Sequence, residues 1–322
     1  MGYRANYIMR RDGEWVHTSS QADALELDGD FMFGPDAALR FLAPWPQWNF
    51  TDWQVETSCQ GGTLIDVDSR VFMLFLEQLD YADRAALLSA LRRTWAGWDV
   101  VWAYNGLGDL LRHAGVNPEQ ARPYGTRHEA TLYPFGRSGT PGAVWTLVTV
   151  RDDAGVRAYG LDGDAVHPWW VGSGVLSMLH RDTAIASCPY LPDAGLHLDL
   201  PARTAGLWSA NTALHDIAAE WHTLWPGWRL DFWQDNYRRQ MMAAAGAISL
   251  PDLDLRAACD RLATRVQTLW HPYLTTNAET FLIRAGQTLE QLRETDWYSF
   301  IALQTAITPA DLNRALAAIH AA

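Results

Sequence analysis

Gly62-Thr63-Leu64-Ile65-Asp66-Val67-Asp68-Ser69-Arg70 is the stretch on which the fold reading turns. Its frame returns 133 residues later as Gly195-Leu196-His197-Leu198-Asp199-Leu200-Pro201-Ala202-Arg203. Two further pairs flank it in the same order. Leu27-Asp28-Gly29-Asp30 returns as Leu161-Asp162-Gly163-Asp164 at an offset of 134. Trp95-x-Gly97-Trp98-x-Val100 returns as Trp225-x-Gly227-Trp228-x-Leu230 at an offset of 130. A shared order and near-constant offset predict a chain built from two related halves.

Periodicity fills in each half. Tyr3–Met9 and Glu14–Thr18 are β-rich runs around Arg11-Asp12-Gly13, a hairpin signal. Ala37–Leu42 reads as a helix after Gly34-Pro35-Asp36. Thr63–Phe75 reads as a second hairpin turning at Asp68-Ser69. Leu87, Leu88 and Leu91 place a helix over Ala82–Trp95, closed by Gly97. A strand over Trp98–Tyr104 and a helix over Leu107–Ala114 complete the half. The second half repeats the series, with strands at Val144–Arg151, Val156–Leu161, Leu196–Leu200, Thr204–Trp208 and Trp228–Trp233. Its helices are expected at Val175–His180, Ala213–Trp225 and Tyr237–Ala245.

The expected fold class is therefore α+β: two tandem ββ-α-ββ-α-β-α repeats, each a mainly antiparallel sheet with packed helices, then a helical tail. The boundaries are 1–116 for the first repeat, 117–142 for a Pro/Gly-rich linker, 143–250 for the second repeat and 251–322 for the C-terminal segment. Helical spacing recurs at Leu255–Trp270, Glu279–Thr295 and Pro309–His320. That tail is expected to pack on the second repeat or over the junction.

Composition narrows the function. With 48% hydrophobic and 19% charged residues, the chain of 322 reads as a folded, soluble protein. A net charge of −12 argues against nucleic-acid binding and against docking on an anionic membrane. Cys59, Cys188 and Cys259 are far apart and lack zinc-ligand spacing. With no apolar signal core or membrane-length run, the expectation is a cytoplasmic protein. Seventeen tryptophans are several-fold above ordinary usage. Those at matched positions, Trp95, Trp98, Trp225 and Trp228, read as core.

No standard nucleotide-binding, hydrolase or metal-protease signature is present. Asp66-Val67-Asp68 could bridge a cation, but Pro201 replaces the second acid in the other half, which favours a hairpin turn. Leu-Asp-Gly-Asp also reads as a turn. His113 with Asp109, His197 with Asp199, and His215-Asp216 with His222 are candidate acid–base pairs, with surface or core histidines the simpler reading. The most polar cluster is Asp231, Asp235, Asn236, Tyr237, Arg238 and Arg239 beside Trp233, matched in the first half by Trp102, Tyr104 and Asn105. Both lie at strand-to-helix turns, where free backbone N–H groups can hold an anion. Trp102, Tyr104, Asn105, Asp231, Trp233, Asp235, Asn236, Tyr237 and Arg238 are the expected ligand-binding residues. No catalytic residue, metal ligand or cofactor is assigned.

Met1-Gly2-Tyr3-Arg4-Ala5-Asn6-Tyr7, with Phe33-Gly34-Pro35 and Trp95-x-Gly97-Trp98, resembles a group of uncharacterised, mainly actinobacterial, Trp-rich proteins that begin MGxRANY. The resemblance implies no activity, substrate or site. The functional expectation is a non-catalytic intracellular binding protein, an immunity, regulatory or defence component, that uses the groove between repeats. Its partner would be a basic protein or a small polar ligand. The alternative is an enzyme that acts on a small polar substrate through Asp and His residues and Trp stacking.

Overall fold

A computed structural model describes residues 4–20, 24, 27–43, 53–77, 79–121, 144–161, 167–180, 183–210, 214–269 and 306–322. The chain is α+β and divides into two compact units. Met1–Tyr124 with Asp254–Ala322 form one, and Gly125–Leu253 form the other.

The first unit carries strands β1 (Arg4–Arg11), β2 (Glu14–Ser20), β3 (Cys59–Asp66), β4 (Val71–Leu76) and β5 (Asp99–Trp102). Their sheet order is β2-β1-β3-β4-β5. Helices α1 (Leu27–Asp30) and α2 (Pro35–Leu42) join β2 to β3, α3 (Tyr81–Thr94) joins β4 to β5, and α4 (Leu107–His113) follows β5. In the second unit the strands are β6 (Thr146–Asp152), β7 (Gly155–Leu161), β8 (Ala194–Asp199), β9 (Thr204–Ser209) and β10 (Arg229–Phe232). Read in the same sense, their order is β7-β6-β8-β9-β10. Helices α5 (Pro168–Val171), α6 (Val175–Met178), α7 (Ile217–Leu224) and α8 (Tyr237–Ala244) take the connecting positions.

The sheets are mixed, not mainly antiparallel. β1/β2 and β3/β4 are antiparallel hairpins, whereas β1/β3 and β4/β5 are parallel. The second sheet pairs likewise. Hairpins force antiparallel neighbours. A strand reached through a helix can re-enter the sheet running the same way as its new neighbour.

Alternation along each strand sorts the side chains onto two faces. In the first unit Tyr7, Ile65, Phe72, Leu74 and Trp102 face one buried core with α2 and α3. Ile8, Leu64, Met73 and Phe75 face another with α4 and the short turn Pro118–Ala121. Trp95 and Trp225, both fully buried, are the fixed points of the two units. The Trp95 indole N–H donates to the carbonyl of Phe31 at 2.8 Å, and that of Trp225 to Trp169 at 2.8 Å. Trp95 stacks on Phe72 of the sheet at 4.0 Å, and Trp225 on Trp221 of its own helix at 5.0 Å. At the positions related by the sequence offsets, Phe72 corresponds to Ala205 and Leu91 to Trp221, so the ring stacked on the anchoring tryptophan comes from the sheet in one unit and from the helix in the other.

Two expectations about the rest of the chain are corrected. Helices α9 (Leu255–Leu269) and α10 (Pro309–His320) pack on α3 of the first unit, where the second repeat or the junction was expected. The reason lies in α3, where Ala86 and Ala90 form a second apolar stripe, both fully or nearly buried. At the matched places the second unit has Asp216 and Glu220, which a covering helix would desolvate at high cost. Leu27–Asp30, read from the sequence as a tight turn, is a single buried turn of helix. Its Asp28 sits under α9, where Arg265 reaches it at 3.1 Å. Thr308 and Asp311 form a capping box at the start of α10. The expected helix over 279–295, Asp162-Gly163-Asp164 and residues 122–142 of the linker lie outside the described residues.

Candidate functional site

The Asp66 and Asp199 positions are built alike. Arg10 meets Asp66 at 3.5 Å, and Arg151 meets Asp199 at 2.8 Å. Asp66 also accepts from the backbone of Asp68 and Ser69 at 3.1 Å each, and Asp199 from Ala202 at 3.0 Å. Both turns close through an arginine with positive φ, Arg70 at 55° and Arg203 at 48°. Asp68 grips the other hairpin, accepting from the N–H groups of Asp12 and Gly13 at 2.9 and 2.8 Å. The Asp66-Val67-Asp68 motif is therefore a clamp between two turns. Burial pushes the Asp66 carboxyl up, but hydrogen bonds from Ser69 and His113 and the charge of Arg10 together hold it below the usual range. His113 bonds Asp66 at 3.2 Å and not Asp109, which binds Asn105 and Arg112 instead. Among the described residues, no group of three or more His, Cys, Asp or Glu side chains is placed to hold a metal ion.

The nine sequence-predicted residues lie at corresponding corners of the two sheets, three in the first unit and six in the second. Trp102 and Tyr104 close on the buried Arg84, whose guanidinium lies 4.9 and 5.5 Å from their ring centres. Asn105 donates from backbone and side chain to Asp109 at 2.9 Å, holding the start of α4. In the second unit Asp231 and Trp233 come together, with the indole N–H donating to the carboxylate at 2.8 Å. Arg239 pairs with the same carboxylate at 2.7 Å and lies 5.0 Å above the Trp233 ring. Arg238 lies over Tyr237, and Tyr237 leans on Trp208. Asp235 and Asn236 form the turn that leads into α8, with Asn236 N–H donating to the Trp233 carbonyl at 3.0 Å. All 25 basic residues of the chain are arginine. A planar guanidinium suits this pattern of ring stacking and forked pairing.

Beneath α8 lies a polar network of which the sequence showed only His197. Trp208 donates its indole N–H to Gln240 Oε1 at 2.5 Å. Because that indole can only donate, the Gln240 amide orientation is fixed. Gln240 Nε2 then donates to Thr149 Oγ1 at 3.0 Å and to the Leu147 carbonyl at 3.0 Å. Thr149 Oγ1 lies 2.9 Å from His197 Nδ1. Thr149 is fully buried and, among the described residues, its hydroxyl meets only the Gln240 amide, which donates, and His197 Nδ1, so the hydroxyl proton goes to Nδ1 and the ring proton sits on Nε2. Among the described residues Nε2 has no hydrogen-bond partner. Burial holds the His197 pKa below its usual value; Asp199 opposes this and Arg151 adds to it.

The first unit has none of these groups. Cross-strand register matches Thr149, His197 and Gly206 with Ile8, Leu64 and Met73, all buried and apolar. Gln240 and Trp208 stand where Leu110 and Phe75 stand. Trp233 replaces Ala103, and its ring fills the space over Gly206, where a Cβ would come within 1.9 Å of it. The fold therefore does not require this network. Single residues on a strand give no local sign of it, since its members meet only through register.

The first unit buries a different cluster. His17 Nε2 lies 2.9 Å from Asn6 Oδ1, and Asn6 Nδ2 donates to Cys59 Sγ at 3.1 Å. Burial pushes the Cys59 thiol up to about 12, which favours its protonated form.

Comparison with protein families, curated proteins and solved structures gives no match. No helix among the described residues is long and apolar enough to cross a membrane.

Proposed function

We propose that this chain is a non-catalytic binding protein, assembled from two copies of one five-stranded unit, whose second copy presents the contact surface. The observation that carries this is where large apolar side chains reach solvent. Of the five among the described residues, Trp145, Tyr190, Phe232 and Met242 belong to the second unit, and only Leu255 to the first. Aromatic and Met side chains are the types enriched in protein interfaces. The net charge of −12 suits a basic protein as the partner, through electrostatic steering. Such a pairing fits an immunity, regulatory or defence component.

The carboxylates that an Asp/His enzyme would use are already committed. Asp231 is held by Trp233 and Arg239, Asp66 by Arg10 and His113, and Asp199 by Arg151. Native mass spectrometry of the chain purified from its own host tests the reading. The expected result is a basic protein bound in a fixed ratio, lost when Trp145, Tyr190 and Phe232 are changed together to Ser with secondary structure intact. A chain that carries no protein, or a partner that survives the triple change, overturns it.

A further inference from the structure

The two Arg–Asp pairs differ in what lies over them. In the first unit Trp15 and His113 cover the pair. Arg10 lies 5.5 Å from the Trp15 ring centre, the Trp15 and His113 rings meet edge-on at 6.2 Å, and His113 bonds Asp66. Register replaces Trp15 with Val156, since Arg10 faces Trp15 and Arg151 faces Val156 across their hairpins. His113 is the seventh residue of α4, and the seventh of α8 is Ala243. Both covering side chains are thus cut back. Exposure follows, with side-chain values of 36% for Arg10 against 55% for Arg151, and 2% for Asp66 against 12% for Asp199.

Beside this uncovered pair stands His197, with Nε2–H unbonded and Nδ1 held by the Thr149–Gln240–Trp208 chain. Trp233 stacks against the His197 ring at 6.1 Å. Arg151 spends part of one fork on Asp199 and keeps further N–H donors. The other unit holds apolar side chains at the matched places, so packing of the fold alone does not call for this network.

We propose that the Arg151–Asp199–His197 face of the second unit is a binding site for a small carboxylate. The carboxylate would take one hydrogen bond from His197 Nε2–H and one or two from the Arg151 guanidinium, with Trp233 as the wall. This site is independent of the protein-partner surface, and each is tested without the other.

The experiment is a titration of the full chain with sodium acetate at constant ionic strength, read by long-range proton–nitrogen spectra of the histidine rings. His197→Gln identifies the His197 signals by their loss. Expected is a saturable shift at His197 Nε2 that sodium chloride does not produce. Val156→Trp, which restores the cover seen in the first unit, weakens it at least tenfold, as does Arg151→Gln. Ala243→His is the second covering variant should Val156→Trp fail to fold. A shift that does not saturate, that chloride reproduces, or that survives the covering variant overturns the site.

Discussion

Arg265 reaches the buried carboxylate of Asp28 at 3.1 Å, so a helix of the C-terminal segment is tied to a turn near the start of the chain. Burial dominates at Asp28 and, despite the Arg265 charge, pushes its pKa up to about 6 from 3.8. A carboxyl raised on folding contributes stability that is complete below its unfolded pKa and is lost as pH rises through the folded one. The window is therefore pH 4 to 6. Between pH 4 and 7 the wild-type chain is expected to lose on the order of 2–3 kcal/mol relative to Asp28→Asn. Urea unfolding of both proteins at the two pH values checks this, and parallel pH profiles would count against it.

The tail chooses its unit through α3. Ala90→Glu copies Glu220 onto the stripe that α9 and α10 cover. A buried unpaired charge there is expected to cost about 3 kcal/mol or more and to expose the tail. Limited proteolysis should release fragments from the C-terminal segment while the second unit stays intact.

Gly34 and Gly172 have φ of 89° and 73°, and a Cβ on either would come within 2.7 Å of the Thr94 carbonyl oxygen or 2.3 Å of that of Leu224. Gly97 also has positive φ, 83°, but open space around it. Gly34→Ala should cost about 3 kcal/mol or more and Gly97→Ala about 1 kcal/mol, by thermal or urea unfolding. Equal effects would show that conformation alone, without the carbonyl contact, sets the cost.

Gln240 and Trp208 should behave as a unit. Gln240→Leu leaves the Trp208 indole N–H buried without its acceptor and is expected to cost about 2 kcal/mol. Adding Trp208→Phe restores the Leu110/Phe75 pairing of the first unit and should recover more than half of that loss. Additive costs in this double-mutant cycle would contradict the coupling.

The matched positions that the sequence revealed are those fixed by local chain geometry. Trp95-x-Gly97-Trp98 and its counterpart end a helix and start a strand, and the Asp66 and Asp199 turns bend within four residues. Such features read off directly because the residues that enforce them are neighbours in sequence. Register and crossover are different, since they depend on where a strand finds its partner after an intervening helix. The sheets are mixed for that reason, and alternation alone did not show it. It also explains why His197 was visible only as a strand histidine, while Thr149, 48 residues before it, Gln240 on a later helix and Trp208 on the neighbouring strand gave no sign of meeting around it.

By itself, then, the sequence determined the α+β class, the order of strands and helices among the described residues, and the tryptophans that anchor each unit, because hydrophobic period and turn chemistry act over a few residues. Only the tertiary structure decided which unit the C-terminal helices cover, which strands run parallel, and which Arg–Asp pair is left open beside a buried histidine. Those outcomes turn on whether facing side chains, Ala90 or Glu220, Trp15 or Val156, are apolar or large enough to close a surface, and no local pattern states what will face them.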